Sequence, residues 1–114
     1  MSEKEVLTDE QIEERLKKMP EWKYQEGWIT RVYKTPGFAH TLLVANTIGY
    51  MAEAAWHHPD LELGYARVKV KLQTHSARGI TMKDIELATQ IEACIGWEPG
   101  EDSALDGFPK NWVK

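Results

Sequence analysis

The sequence predicts an α+β fold, a sheet of antiparallel strands with helices on one face, its elements ordered α-ββ-α-ββ-α. Three observations predict it. Apolar residues recur at helical spacing in three separate stretches, aromatic and β-branched runs flank a Glu-Gly pair, and one segment alternates apolar and polar residues without a break. With 114 residues the chain suffices for one domain with a buried core and is too short for two of ordinary size. Residues 1–96 are expected to form that domain and residues 97–114 a C-terminal tail.

The first helix follows Thr8, an N-cap with Gln11 three residues later as its capping-box partner. Ile12, Leu16 and Met19 form its apolar stripe, and Pro20 stops it. Trp22-Lys23-Tyr24 and Ile29-Thr30-Arg31-Val32-Tyr33 flank Glu26-Gly27 and read as a hairpin, because Gly tolerates the positive φ of the turn. Thr35-Pro36 is expected to open a long helix, Thr as the cap and Pro at a first position where no donor is needed. On it, Phe38, Leu42, Ala45, Gly49, Ala52 and Trp56 make one apolar stripe and Val44, Ile48, Met51 and Ala55 an adjoining one, a face broad enough to bury against a sheet. Pro59 pushes the residue before it out of the α region and should end that helix at about His57.

From Tyr65 to His75 the chain alternates. Ala66, Val68, Val70, Leu72 and Thr74 point one way, and Tyr65, Arg67, Lys69, Lys71, Gln73 and His75 the other, as in a strand with one wet face. A short partner strand around Leu61 to Leu63 turns at Gly64. Thr81 caps a third helix with Ile85, Ala88, Ile91 and Ile95 on its stripe, Cys94 on its core side and Gly96 at its end. The tail, with Pro99, Gly100, Gly107 and Pro109, reads as irregular, and its Trp97, Phe108 and Trp112 are expected to pack on the domain or a neighbouring subunit.

Charge narrows the function classes. The net charge is −4 with acids and bases mixed along the chain, which argues against a general nucleic-acid or anionic-membrane binder. The single cysteine cannot form an internal disulfide and fits a reducing compartment. No apolar run approaches the roughly 20 residues of a bilayer span, and the acidic N-terminus lacks a signal-peptide layout, so a cytoplasmic location is expected.

Three of the four histidines stand at element ends: His57 and His58 where the long helix breaks, His75 where the alternating strand stops. Glu53 lies one helical turn before His57, within reach of that ring if the helix holds. Asp84 sits in the first turn of the last helix, close after His75. Adjacent histidines rarely share one metal ion, and neither a His-Glu-x-x-His motif nor paired cysteines is present. Ser76 follows His75 but lies in no Gly-x-Ser-x-Gly elbow. What remains is acid–base chemistry by imidazole, whose ordinary pKa of about 6.5 lets it exchange protons at neutral pH.

The pattern Glu53-x3-His57-His58-Pro59-x5-Tyr65-x9-His75-x8-Asp84 resembles the active-site signature of the pterin-4a-carbinolamine dehydratases (4a-hydroxytetrahydrobiopterin dehydratases) at every defined position. Ala52 before Glu53, the valine-rich strand, Thr74-His75 and Gly79-Ile80-Thr81 extend the likeness over roughly Leu7 to Ile95. The resemblance implies a four-stranded antiparallel sheet with three helices on one face, and association as dimers or tetramers. It implies loss of water from a tetrahydropterin 4a-carbinolamine to give the quinonoid dihydropterin, in tetrahydrobiopterin recycling, with neither metal nor organic cofactor. It places the proton transfers on His57 and His75 and pterin binding on His58, with Trp56, Gln73, Thr74 and Ser76 lining the site. Glu53, Tyr65 and Asp84 are the supporting groups behind them.

Trp56 departs from the smaller polar residue common before the paired histidines, Thr35 from a common aromatic, and Gly37 from a frequent aspartate; the tail runs past the usual family end. Trp56 and the tail also resemble the dehydratase-like proteins that serve as Rubisco assembly factors in autotrophic bacteria. The second expectation is therefore a catalytically silent, carboxysome-associated chaperone that meets a protein partner through residues 97–114 or the Arg67, Lys69 and Lys71 face.

Overall fold

Thr8 starts the first helix, α1 (Asp9–Leu16), through a complete capping box. The Gln11 N–H donates to the Thr8 hydroxyl at 3.1 Å, and the Gln11 side-chain oxygen accepts from the Thr8 N–H at 2.8 Å. The computed structural model describes residues 5–107 and 113–114, so Phe108 and Trp112 lie outside the described residues. The first hairpin pairs β1 (Lys23–Gln25) with β2 (Trp28–Lys34). Both turn residues take positive φ, 52° at Glu26 and 84° at Gly27, the two-residue turn whose twist matches its strands.

The second helix, α2 (Phe38–Ala55), corrects the sequence reading at both ends. Thr35 does not cap it. The Thr35 hydroxyl bonds the Gly37 carbonyl at 3.0 Å and the Thr41 hydroxyl at 2.8 Å, and Gly37 takes the cap position without a side chain to offer. A Cβ at Gly37 would lie 3.4 Å from the Tyr65 hydroxyl, so the cap residue packs against that ring. At the far end Trp56 adopts the left-handed helical conformation, φ 53° and ψ 47°. The Trp56 and His57 N–H groups close back on the Glu53 and Ala52 carbonyls at 3.2 and 3.1 Å, a Schellman closure. The helix therefore ends at Ala55 rather than at His57, because Pro59 bars a further turn and the next strand begins at Asp60.

The second hairpin is β3 (Asp60–Gly64) and β4 (Arg67–Leu72), turning at Tyr65-Ala66. The four strands lie in the order β1-β2-β4-β3, all antiparallel. The alternating segment leaves the ladder at Leu72. Thr74 and Gly79 then pair across a short loop that holds one 3₁₀ turn, His75–Ala77, before α3 (Met82–Ile95).

One sheet face carries Ile29, Tyr33, Val68, Val70 and Leu72 into a core with Ile12, Leu16, Val44, Ile48, Ile85, Ala88 and Ile91 of the helices. Arg31 enters the same layer, and Glu92 of α3 receives it: one carboxylate oxygen accepts from Arg31 Nε, Trp22 Nε1 and the Tyr33 hydroxyl, each at 2.9 Å. Burial first, then the bond to Glu92, pushes the Tyr33 phenol well above its ordinary range, so it stays a neutral donor. For Glu92, burial works to raise the carboxyl, but the bonds from Arg31, Tyr33 and Trp22 outweigh it and hold the group below its usual value.

Two expectations fail at the surface. Cys94 is exposed, not on the core side of its helix. On α2 only Thr41, Val44, Ile48 and Ala52 are buried, because the sheet covers one stripe of the helix; Phe38, Leu42, Leu43 and Tyr50 face outward. In the tail Trp97 is exposed, while Val113 packs on the core and the Lys114 N–H donates to the Lys34 carbonyl at 2.8 Å. Among the described residues no helix is long and apolar enough to cross a membrane.

Candidate active site

The left-handed turn at Trp56 decides where the paired histidines point. A helix continued to His57 would have set that ring above Glu53. The closure instead swings His57 inward to α3, where its Nε2 lies 2.6 Å from Asp84 Oδ1. Asp84 is fully buried. Its other oxygen accepts from the Thr74 hydroxyl at 2.7 Å and the Thr81 N–H at 2.9 Å, and the two threonine hydroxyls bond each other at 2.8 Å. Oδ2 takes both of those donors, which leaves Oδ1 to His57; with Asp84 written as a carboxylate, the proton between them is assigned to Nε2 and a neutral ring is left with a bare Nδ1. The acid that caps α3 thus also orients His57.

Glu53 serves the other histidine. Its Oε2 lies 2.5 Å from His58 Nε2, which corrects the expected Glu53–His57 contact. The physical reason is the same reversal at Trp56, which carries His57 off the helix surface and brings His58 back over it. Trp56 is exposed and meets the His58 ring edge-on at 5.0 Å between centroids.

The end of β4 supplies the remaining groups. Thr74 continues the buried side of the strand and reaches Asp84; Gln73 and His75 take the opposite side. The Gln73 amide donates to the Gly27 carbonyl at 2.9 Å, so it ties the first hairpin turn to the site and does not stand as a free donor within it. His75, exposed, meets the edge of Trp28 at 5.6 Å, and Ser76 is exposed beside it. Since Asp84 holds His57 and Thr74 together, and His75 is the next residue, His57 and His75 share one end of the sheet.

The structure does not bring Tyr65 to this cluster. It occupies the β3–β4 turn, at the opposite end of β4 from His75, where its backbone carbonyl accepts from the Thr41 hydroxyl at 3.0 Å. The whole of β4, six residues and roughly 20 Å of strand, lies between the two positions, so equal weight in a sequence pattern did not mean proximity within one chain. Conversely, Trp28 was missed. Its one signal was its place directly after the Gly27 turn, which sets it opposite the end of β4 once the strands pair.

The cluster holds three imidazoles, two of them locked by carboxylates through Nε2, and two tryptophan edges. Such an arrangement can take a proton at one nitrogen and give one at another. Among the described residues no three His, Cys, Asp or Glu side chains are gathered as a metal ion would require.

Comparison with known proteins converges on one kind of protein. A family model described as pterin 4 alpha carbinolamine dehydratase matches residues 5–94. A protein of Aquifex aeolicus, named provisionally as a pterin-4-alpha-carbinolamine dehydratase, is 40% identical over 89 residues, covering 78% of this chain and 90% of its own. A similarly named protein of Acidobacterium capsulatum is 43% identical over 89 residues, covering 78% and 97%. Among solved structures, a transcriptional coactivator/pterin dehydratase from Brucella melitensis superposes with a TM-score of 0.73 at 32% identity, covering 78% of this chain and 97% of that one. A pterin dehydratase-like protein described as a RuBisCO assembly factor in the alpha-carboxysome superposes with a TM-score of 0.54 at 14% identity, covering 66% and 87%, a likeness of fold alone.

Proposed function

Because this chain belongs to the pterin 4 alpha carbinolamine dehydratase family, we propose that it is a working hydro-lyase. In this reading it dehydrates 4a-hydroxytetrahydrobiopterin, or a close pterin relative, to the quinonoid dihydropterin in the cytoplasm, as a step of tetrahydrobiopterin recycling. The observation that carries the reading is the hold of Asp84 on His57 and Thr74 beside His75.

The reaction needs two proton transfers and no change of oxidation state. The N5–H proton passes to the bare Nδ1 of His57, and the electrons of the N–H bond form the C4a=N5 double bond. The C4a–O bond breaks, and the hydroxyl leaves as water with a proton from His75, which stands open to solvent; exchange with water then removes the proton from His57 and returns one to His75. His58, steadied by Glu53, holds the pterin ring, with Trp56 and Ser76 as its neighbours. Thr74 and Gln73 act through Asp84 and the Gly27 turn. The outward stripe of α2 supports a homo-oligomer as the working form. The assembly-factor reading, toward which Trp56 and the tail lean, gains only a likeness of fold from its relative, whereas the Asp84 hold on His57 and Thr74 supports catalysis.

Formation of quinonoid dihydropterin from synthetic 4a-carbinolamine, followed against a protein-free blank, tests the proposal. Wild-type protein accelerates the reaction, and His57→Ala and His75→Ala each lower the rate by about 10²–10⁴-fold, the usual range for a positioned acid or base. No acceleration by folded wild-type protein sinks the enzyme reading. Full rates in both variants sink the assigned roles.

A further inference from the structure

The sheet face turned away from the helices has a charge of its own. By strand alternation it presents Lys23, Lys34, Arg67, Lys69 and Lys71 against Asp60 and Glu62, on a chain whose net charge is −4. A groove of about 380 Å³ opens on this face, lined by Gln25, Glu26, Trp28, Thr30, Lys69 and Lys71. Trp28 joins it to the candidate active site: the ring makes a T-shaped contact with His75 at 5.6 Å, and Lys71 Nζ lies over it at 4.6 Å from its centroid. The Gln73 bond to Gly27 holds the hairpin turn at that junction.

Local acids engage the two ammonium groups only in part: Lys71 pairs with Glu62 and stands in register opposite Asp60, and Glu26 lines the same groove. The Glu62–Lys71 ion pair is long, 3.6 Å, so it is Coulombic rather than a hydrogen bond, and the same carboxylate stands in register opposite Lys69. Each ammonium has three donors, so both retain N–H groups for a ligand, and Thr30, in register opposite Lys71, lines the same groove. Side chains on one strand face recur about every 7 Å. Lys71 thus stands one such step, and Lys69 two, beyond Gln73 at the edge of the site.

We propose that the groove receives an anionic substituent, a carboxylate or a phosphate, carried on the side chain of the pterin whose ring lies at His57, His58 and His75. The inference rests on the dehydratase reading and goes beyond it by naming the substrate class. A phosphate on a three-carbon side chain matches the reach of Lys71, and a longer glutamyl tail matches Lys69. A neutral side chain would leave both ammonium groups to Glu62 and water.

The test is quenching of tryptophan fluorescence by oxidised, unreactive pterins with a neutral dihydroxypropyl, a phosphorylated or a benzoylglutamyl side chain. Wild-type protein, Lys69→Met, Lys71→Met and the double variant are titrated, and circular dichroism confirms that each is folded. An anionic pterin is expected to bind about 3- to 30-fold tighter than the neutral one, the worth of two exposed ion pairs. That advantage should collapse in about 0.5 M salt and in the double variant, while neutral-pterin affinity stays unchanged. Loss concentrated in Lys71→Met identifies the phosphate, and loss concentrated in Lys69→Met the glutamyl tail. Equal affinity for all three ligands in wild type, or an advantage that survives the double variant, overturns the proposal and leaves the dehydratase reading standing. No binding of any pterin by folded protein overturns both.

Discussion

Asp84 accepts three hydrogen bonds on two oxygens and so does two tasks at once: it starts α3 and fixes which nitrogen of His57 carries the proton. Glu92, on the same helix, has a comparable load and a purely structural use. Three donors converge on one of its oxygens, and Arg31 Nη2 reaches the other at 3.3 Å. Because those bonds hold its folded-state pKa below the ordinary 4.5, the stability it contributes is fully present above about pH 4.5 and is lost as pH falls through the lowered value. Glu92→Gln keeps the shape but removes the charge opposite Arg31, at a cost of about 1–3 kcal/mol. Thermal melts from about pH 7 to pH 3 should show a lower midpoint for the variant near neutrality, and the gap should narrow below about pH 4.5 as the wild-type carboxylate protonates. A gap constant across that range would show that Glu92 is not the group being titrated.

At the scale of elements, the parts legible in the sequence were those with a local code. Thr8 with Gln11 and Thr81 with Asp84 announce helix starts within four residues, and Glu26-Gly27 announces a turn by its tolerance of positive φ. The parts that were not legible depend on distant partners. Trp28 reaches His75 only through the β2–β4 register, and the Thr35 hydroxyl goes to the Gly37 carbonyl and Thr41 instead of capping α2. The end of α2 was hidden for a different reason. A Schellman closure normally places Gly at the left-handed residue, and here Trp56 holds that conformation against its Cβ. This yields a clean comparison between two small residues. Trp56→Gly and Trp56→Ala lose the same indole contact with His58, but only Ala retains the left-handed strain, so the Ala variant should be less stable by about 1 kcal/mol. Chemical denaturation of both measures it. If Ala proves equal or better, α2 does not close through Trp56, and the inward turn of His57 needs another cause.

For the whole molecule, the disposition of α2 leaves one physical question open to experiment. The helix buries a single stripe in the core, while Phe38, Leu42, Leu43 and Tyr50 stand on its outer side, Tyr50 at 78% exposure. Gly49, between them and the sheet-facing stripe, has nothing within 4 Å of where a Cβ would sit, so another backbone can approach closely there. Apolar residues gathered on one helix face are the usual mark of a protein contact, and the same face in a second copy is the simplest complement, because it closes with two-fold symmetry and leaves no apolar surface unmatched. Light scattering should therefore report an integral multiple of the 13.1 kDa chain mass at micromolar concentration. Leu43→Glu with Tyr50→Glu should shift it to the monomer, since four charged groups would face one another across the two-fold contact. The wild-type core contains neither residue, so the double variant should keep its circular dichroism spectrum. A wild-type monomer, or a variant that keeps the larger mass, would remove α2 as the contact. A monomeric variant that still dehydrates the carbinolamine would show that one chain carries a complete site, as expected from a cluster drawn from α2, β4 and α3 of a single fold.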